Sequence, residues 1–353
     1  MQRRRFLLAS GAALGAAISP LWADIGHQLY LSAASKGDRS TWLVGVEATG
    51  HVRFSLPLPG RGHAAAAHPE RAEAIVFARR PGRFAMVLDC ASGQILSELH
   101  APEGRHFYGH GVFSADGQVL FTTENDFDGP DGRIGVWDAA NGYRRLGEFA
   151  SGGIGPHEIV RLENGHLAVA NGGIQTHPDF GRKKLNIPTM RTNLTVLSPE
   201  GTVTASYDFP EAFHQNSIRH LDIGPDGQVF AALQWQGMPT KRVPLVAEFH
   251  TGRTRFLDHK ATARLKAYAG SVAVSGDGSE IAVTGPKGGH MLIFDKAGQP
   301  ITDMALPLAS GVAKTDAGLL ITCARGLARR EGGDTEVIPV SGGWSWDNHL
   351  VRV

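Results

Sequence analysis

An all-β chain wound into a seven-bladed β-propeller is the architecture to expect here, on three grounds. The first is a run, Tyr108-Gly109-His110-Gly111-Val112-Phe113-Ser114-Ala115-Asp116-Gly117, whose pattern returns along the chain. A histidine opens a short apolar stretch, a small or polar residue follows four places on, and a turn rich in Asp, Asn or Gly closes it. His63, His157, His220 and His349 stand in the same register, and Ser271 and Gly311 hold it without an imidazole. The second ground is an apolar pair, a polar residue and a turn ending in Gly. It recurs at Val44–Gly50, Val87–Gly93, Val136–Gly142, Val196–Gly201, Ala247–Gly252, Ile293–Gly298 and Val337–Gly342. Two signatures alternating seven times, each unit holding about four strands and no amphipathic helix, mark a propeller; a β-sandwich has no reason to repeat them. The third ground is the ends. The first unit has three strands, Leu29–Ala34, Trp42–Glu47 and Val52–Leu58, and the segment Trp346–Val353 is a lone strand. Pairing the C-terminal strand with the N-terminal blade would complete the seventh sheet and remove its exposed edges.

Residues 1–23 read as a targeting segment rather than part of the fold. Arg3-Arg4-Arg5-Phe6-Leu7-Leu8 precedes an apolar run from Ala9 to Ile18 and then Pro20-Leu21-Trp22-Ala23. Adjacent arginines before Phe-Leu are the bacterial twin-arginine export signal. The apolar run is too short to span a bilayer, so cleavage near Ala23 and no membrane span thereafter are expected. Residues 24–353 form the propeller with no further domain, placed in the periplasm and exported already folded. That route often carries proteins with a cofactor in place, which hints at a metal. The formal net charge of +1 offers no basis for a nucleic-acid or membrane-surface partner, and a monomer is expected. The 45 glycines suit a fold of many tight turns. Cys90 and Cys323 fall in non-adjacent units and read as buried small apolar residues, not as a bridge or a ligand pair.

In each blade the start of strand one and the end of strand two share a face of the disc. The histidines open strand one; strand two ends in Arg79 and Arg80, Glu124 and Asn125, Asn171, and Gln234 and Gln236. Long connections at 124–133, 171–192 and 234–243 lie on the same rim and suggest a roofed pocket near the axis. His177, Arg182-Lys183-Lys184, Met190, His214 and Gln215 are candidates to line that roof.

Neutral imidazole is the commonest side-chain metal ligand and suits iron, copper and zinc. A ring of blades can aim several imidazoles at one axial point. The expected ligands are therefore His63, His110, His157, His220 and His349, with Glu124 as an oxygen donor. Glu158, Asn125, Asn171, His177, Met190, His214, Gln215, Gln234 and Gln236 would line the pocket or fix the tautomers. Histidines with a carboxylate suit non-haem iron, an all-histidine set leans toward copper, and the Met190 and Met238 thioethers keep copper open. The competing structural reading is that mid-strand histidines face the neighbouring blade and merely bridge backbone groups. The acidic turn Asn125–Gly132 lacks the terminal Glu of a calcium loop and reads as a solvated turn.

Several stretches taken together resemble one family: Tyr108–Ser114, Thr123–Asp126, Ile154–Glu158, Asn171–Ile174 with Thr176-His177-Pro178, His214-Gln215, Ser217–His220, Gln234–Gly237 and Trp346–His349. They look like the twin-arginine-exported propeller proteins of unknown function that accompany imelysin-type and dihaem-peroxidase-like proteins in bacterial iron-uptake gene clusters. The resemblance covers nearly the whole mature chain. It implies a periplasmic role linked to iron or another redox metal, with those neighbouring proteins as partners. Other members carry a Cys just before the Gly of the sixth inner strand where this chain has Ser310, which speaks against a thiolate ligand there. Two further functions suit the same face. One is a lactonase-type hydrolase with Glu124 or Glu158 as base and His157 as acid; the other is a docking scaffold using the rim loops.

Overall fold

Seven antiparallel sheets account for nearly all the regular structure in the computed structural model, which describes residues 20–25, 28–80 and 82–353. The first sheet holds Leu29–Ser35, Thr41–Glu47 and Val52–Pro57, with Ser345–Trp346 and Val351–Arg352 paired along Leu29–Ser35 as its innermost member. Each of the other six is a four-stranded meander whose first strand is innermost. These first strands are Gly62–Ala67, Arg105–Phe113, Pro156–Arg161, Asn216–Ile223, Ser271–Val274 and Val312–Lys314. Each innermost strand contacts the next around a circle, and Val351–Arg352 touches both the second and seventh blades. The ring is thus closed by the C-terminal strand in the first blade, as its two ends led one to expect.

Burial explains why the strands read as they do. Second strands such as Glu73–Ala78 and Leu167–Asn171 are buried along their whole length, so they are nearly continuous in Ala, Val, Ile and Phe. Outer strands such as Val52–Pro57 and Arg144–Ala150 alternate between covered and exposed residues. The apolar side chains fall into seven clusters, one at each blade–blade interface. Between the second and third blades Phe77, Phe107, Leu120 and Trp137 are among those sealed from water. Each such side chain contributes about 1.5–3 kcal/mol.

Six of the seven Gly-turn signatures lie where a propeller needs them, at the hairpin between the third and fourth strands. Their glycines, from Gly50 to Gly298, all have positive φ, between 70° and 90°, which an L side chain adopts only with strain. The seventh expectation was misplaced: Val337–Gly342 runs out of the outermost strand Asp334–Pro339, and the equivalent turn is Gly332-Gly333. The connection expected at 124–133 is also not a long loop. Glu124 and Asn125 remain inside the strand Val119–Asp126, which pairs directly with Asp131–Asp138 around a short turn. Cys90 and Cys323 are both free and buried.

The twin-arginine segment lies outside the described residues apart from positions 20–23. Trp22 opens a short helical turn, Trp22–Ile25, and its indole donates to the His68 carbonyl at 2.6 Å. Among the described residues no helix is long and apolar enough to cross a membrane.

Candidate metal centre on the propeller axis

A side chain in the middle of a propeller strand ordinarily faces the neighbouring blade. The histidine-bearing strands escape that rule by breaking register at the histidine. In Gly62–Ala67 the pairing jumps between Gly62 and Ala65, in Arg105–Phe113 between Phe107 and Gly111, and in Pro156–Arg161 between Pro156 and Glu158. In Asn216–Ile223 it jumps between Ile218 and His220. A β-bulge of this kind re-aims the side chains it carries. His349 occupies the gap between Ser345–Trp346 and Val351–Arg352, where its carbonyl accepts from the Ser32 hydroxyl at 2.6 Å. The innermost strands Ser271–Val274 and Val312–Lys314 run in unbroken register and carry no imidazole.

The five rings consequently meet on the axis. The centroid of His63 lies 4.4 Å from that of His349 and 6.4 Å from that of His220, and His157 stands 5.0 Å from both His110 and His220. His63, His110 and His157 bring three ring nitrogens within 4.8 Å of one another, and so do His110, His220 and His349. The Nε2 atoms of His63 and His349 are 3.3 Å apart. Two imidazoles bound to one tetrahedral metal at bond lengths of 2.0–2.1 Å would hold their nitrogens about 3.3 Å apart. The Nε2 atoms of His110 and His220 are buried without a hydrogen-bond partner among the described residues. Buried polar atoms are rarely left so unless a ligand or water takes them up.

Behind the rings stand two carboxylates. Glu158 reaches across two blades: one oxygen lies 3.2 Å from Nδ1 of His220, the other 3.5 Å from Nδ1 of His110. It also accepts the Leu221 amide at 2.9 Å. Asp347 lies 3.1 Å from Nδ1 of His63, takes two bonds from Arg61 at 2.7 and 2.9 Å, and meets Arg79 at 3.2 Å. A carboxylate on Nδ1 holds the proton there and leaves the Nε2 lone pair free.

Burial opposes charge on the rings. It takes His63 down to about 3 and pushes His157 and His349 well below the ordinary imidazole value, the charges of neighbouring basic groups adding to the effect at the last two. His220 is lowered by the same burial despite Glu158. Burial alone would raise both carboxylates. For Glu158 the charges and bonds of His110 and His220 outweigh it, and for Asp347 those of His63, Arg79 and Arg61 do; both sit far below the usual range. Burial thus favours the neutral form of His63, His157, His220 and His349, and the carboxylates behind the cluster stay ionised.

On the expected face the rings floor a chamber of about 410 Å³ lined by Arg61, Arg79, Arg80, Tyr108, Arg182, Lys184, Arg219, Gln234, Tyr268, Lys287 and Asn348, among others. On the other side His220 and His349 border a second recess of about 350 Å³ with Glu158 and Asp222. Burial raises the Asp222 carboxyl to about 6.

Glu124 is not among the oxygen donors. Its carboxylate is held by Arg145 of its own blade through two bonds at 2.8 and 2.9 Å, with Thr122 as a third partner. Asn125 bonds the Thr176 carbonyl and His106, and Asn171 is spent on Ser151 and Thr195. His177 lies toward Asp128 on the outer turns. Met190 is fully buried, and its carbonyl accepts from His214, while Gln215 donates to the Ile187 carbonyl. These last three brace the long 171–192 connection rather than line the axis. Gln234 does line the chamber, donating to the Ala269 carbonyl, and Gln236 tethers Lys184 above it. Met238 points to solvent, 70 % exposed. Asp347, Arg61, Arg219, Tyr268 and Lys287 belong to the site without having been singled out. Only the nearness of Asp347 and Arg219 to His349 and His220 could have drawn notice to two of them.

Residues 56–353 match the family model described as "Protein of unknown function (DUF1513)". No curated protein matches the chain. Among solved structures the chain is similar to hydrazine synthase of Kuenenia stuttgartiensis, with TM-score 0.61 and 13 % identity over 95 % of this chain and 99 % of that one. The β-propeller domain of Cps50 (Swd1) from Myceliophteria thermophila aligns with TM-score 0.60 and 10 % identity, over 86 % of this chain and 97 % of that one. A functionally unknown protein from Desulfotomaculum acetoxidans gives 0.53 and 14 %, over 83 % and 88 %. At such identities the likeness concerns the fold alone.

Proposed function

The chain belongs to the DUF1513 family, described as proteins of unknown function, and from the site itself we propose that it is a metal-binding β-propeller. The observation that carries this reading is the convergence of five imidazoles from five blades, four buried and His157 partly so, with the Nε2 atoms of His110 and His220 unpartnered and carboxylates behind. Buried structural histidines normally find partners for both nitrogens; two of these do not.

The ion is iron or copper. With Glu124 turned away, the inward donors are all imidazole nitrogens, which suit either metal and lean toward copper; the family resemblance speaks for iron. The protein acts in the periplasm, exported folded by the twin-arginine route, as a carrier or redox partner of imelysin-type and dihaem-peroxidase-like proteins in iron acquisition. That part rests on Arg3-Arg4 and on the motifs named above. Ser310 donates its hydroxyl to the Leu308 carbonyl, in keeping with a site that uses no thiolate.

Elemental analysis of the natively exported protein, beside a variant with His110, His157 and His220 all changed to Ala, tests the reading. About one equivalent of iron or copper in the native protein and background in the variant is the expected result. Background levels in both, persisting after incubation with Fe(II) and Cu(II), would sink it.

A further inference from the structure

The chamber above the imidazoles is more basic than a metal site requires. Seven of its lining residues are cationic (Arg61, Arg79, Arg80, Arg182, Lys184, Arg219 and Lys287) and none is acidic. They arrive from five separate parts of the chain, so no single basic run accounts for them. Asp347, behind the wall, is shared by Arg61 and Arg79. It leaves most of the positive charge uncompensated.

Like charges gathered in a partly enclosed space repel, and a fold sustains them where an anion offsets the cost. The chamber shows that repulsion. Burial first, then the charges of Arg182 and Arg79, lowers Arg80; burial, then Arg219, Lys287, Arg80 and Arg182, lowers Lys184. The Nε of Arg219 is buried without a partner among the described residues. On the far wall Lys287 lies 4.2 Å over the Tyr268 ring, and Asn348 donates to the Tyr268 hydroxyl at 2.7 Å. These are donors gathered around a common space that no carboxylate lines. A solvated basic face would not strand the buried Nε of a half-buried Arg219.

We infer that this chamber binds a small polyanion, a molecule bearing two or more carboxylate or phosphate groups. Planar guanidinium forks match both groups in bidentate fashion. The volume of about 410 Å³ suits a molecule of metabolite size. The ligand would lie between the rim cations and the imidazole floor, within reach of a metal held there. Its binding does not depend on that metal, because the donors named here are all side chains.

The test uses the full chain freed of metal by chelator and gel filtration, titrated calorimetrically with citrate, pyrophosphate and acetate. One equivalent of citrate or pyrophosphate should bind at least tenfold more tightly than acetate. A variant with Arg182→Ala and Lys184→Ala, both exposed on the 171–192 connection and therefore compatible with the fold, should bind at least tenfold more weakly. Arg219→Lys should also weaken binding, since it removes the fork while keeping the charge. Failure of both polyanions to bind stoichiometrically, or equal binding by wild type and the double variant, would overturn the inference. Metal content measured on the same wild-type protein separates the two readings. Polyanion binding by a protein that takes up no metal leaves this one standing, and metal uptake without polyanion binding removes it.

Discussion

Asp347 and His63 stand 284 residues apart in the chain and 3.1 Å apart in space. The contact ties the C-terminal strand to the second blade, so closure of the ring and orientation of an axial imidazole are one event. Asp347→Asn should weaken metal binding by about 10–100-fold, the usual cost of losing a carboxylate behind a ligand. Because Arg79 would be left facing a neutral group in a buried position, it should also lower unfolding free energy by about 3 kcal/mol. Metal titration and urea denaturation of the same variant measure the two effects.

Glu158 supports two imidazoles, His110 and His220, from one carboxylate. Glu158→Gln keeps the shape and the acceptor for Leu221 N–H, so the far-ultraviolet circular dichroism should not change. Metal affinity should drop about 10–100-fold.

Gly109 is required by space as well as by backbone. It sits at φ 104°, and a Cβ there would lie 2.5 Å from Cδ2 of His63. Gly109→Ala should therefore displace His63 and reduce metal binding. Gly142→Ala, at φ 71° with open space around it, should cost about 1–2 kcal/mol of stability and leave metal binding unchanged. Denaturation and metal titration of the pair check the contrast.

Glu124→Ala is expected to separate stability from the site in the opposite sense. It leaves Arg145 partly buried without its bidentate partner, a loss of about 3–5 kcal/mol. Metal content should remain that of the native protein. A variant that folds but loses its metal would show that Glu124 reaches the axis after all.

Deleting residues 345–353 removes Asp347 and His349 and exposes the edge of Leu29–Ser35. Soluble yield should collapse, and any soluble fraction should elute from gel filtration as aggregate.

What could be read from the residues followed the physics of repetition. Blade number and closure were legible because every blade needs the same turn chemistry, and the histidine register was legible because it recurs. The seventh turn was misread because Gly332-Gly333 lacks the preceding apolar pair, while Val337–Gly342 imitates it. Glu124 was misread because a carboxylate near the end of a strand looks like a rim ligand, and its partner Arg145 lies two strands away in the same sheet. Arg219 escaped notice because strict alternation sends it to the face opposite His220. The bulge between Ile218 and His220 cancels that alternation and brings both to the chamber. Such register breaks leave no mark in composition or periodicity. Asp347 depends on ring closure, which local pattern does not encode.

The fifth imidazole comes from the strand that closes the circle. During synthesis the other four emerge with their own blades, yet His349 and Asp347 leave the ribosome only when residues 1–346 have already been made. A nascent chain therefore cannot present the finished set of five imidazoles until its closing strand has emerged.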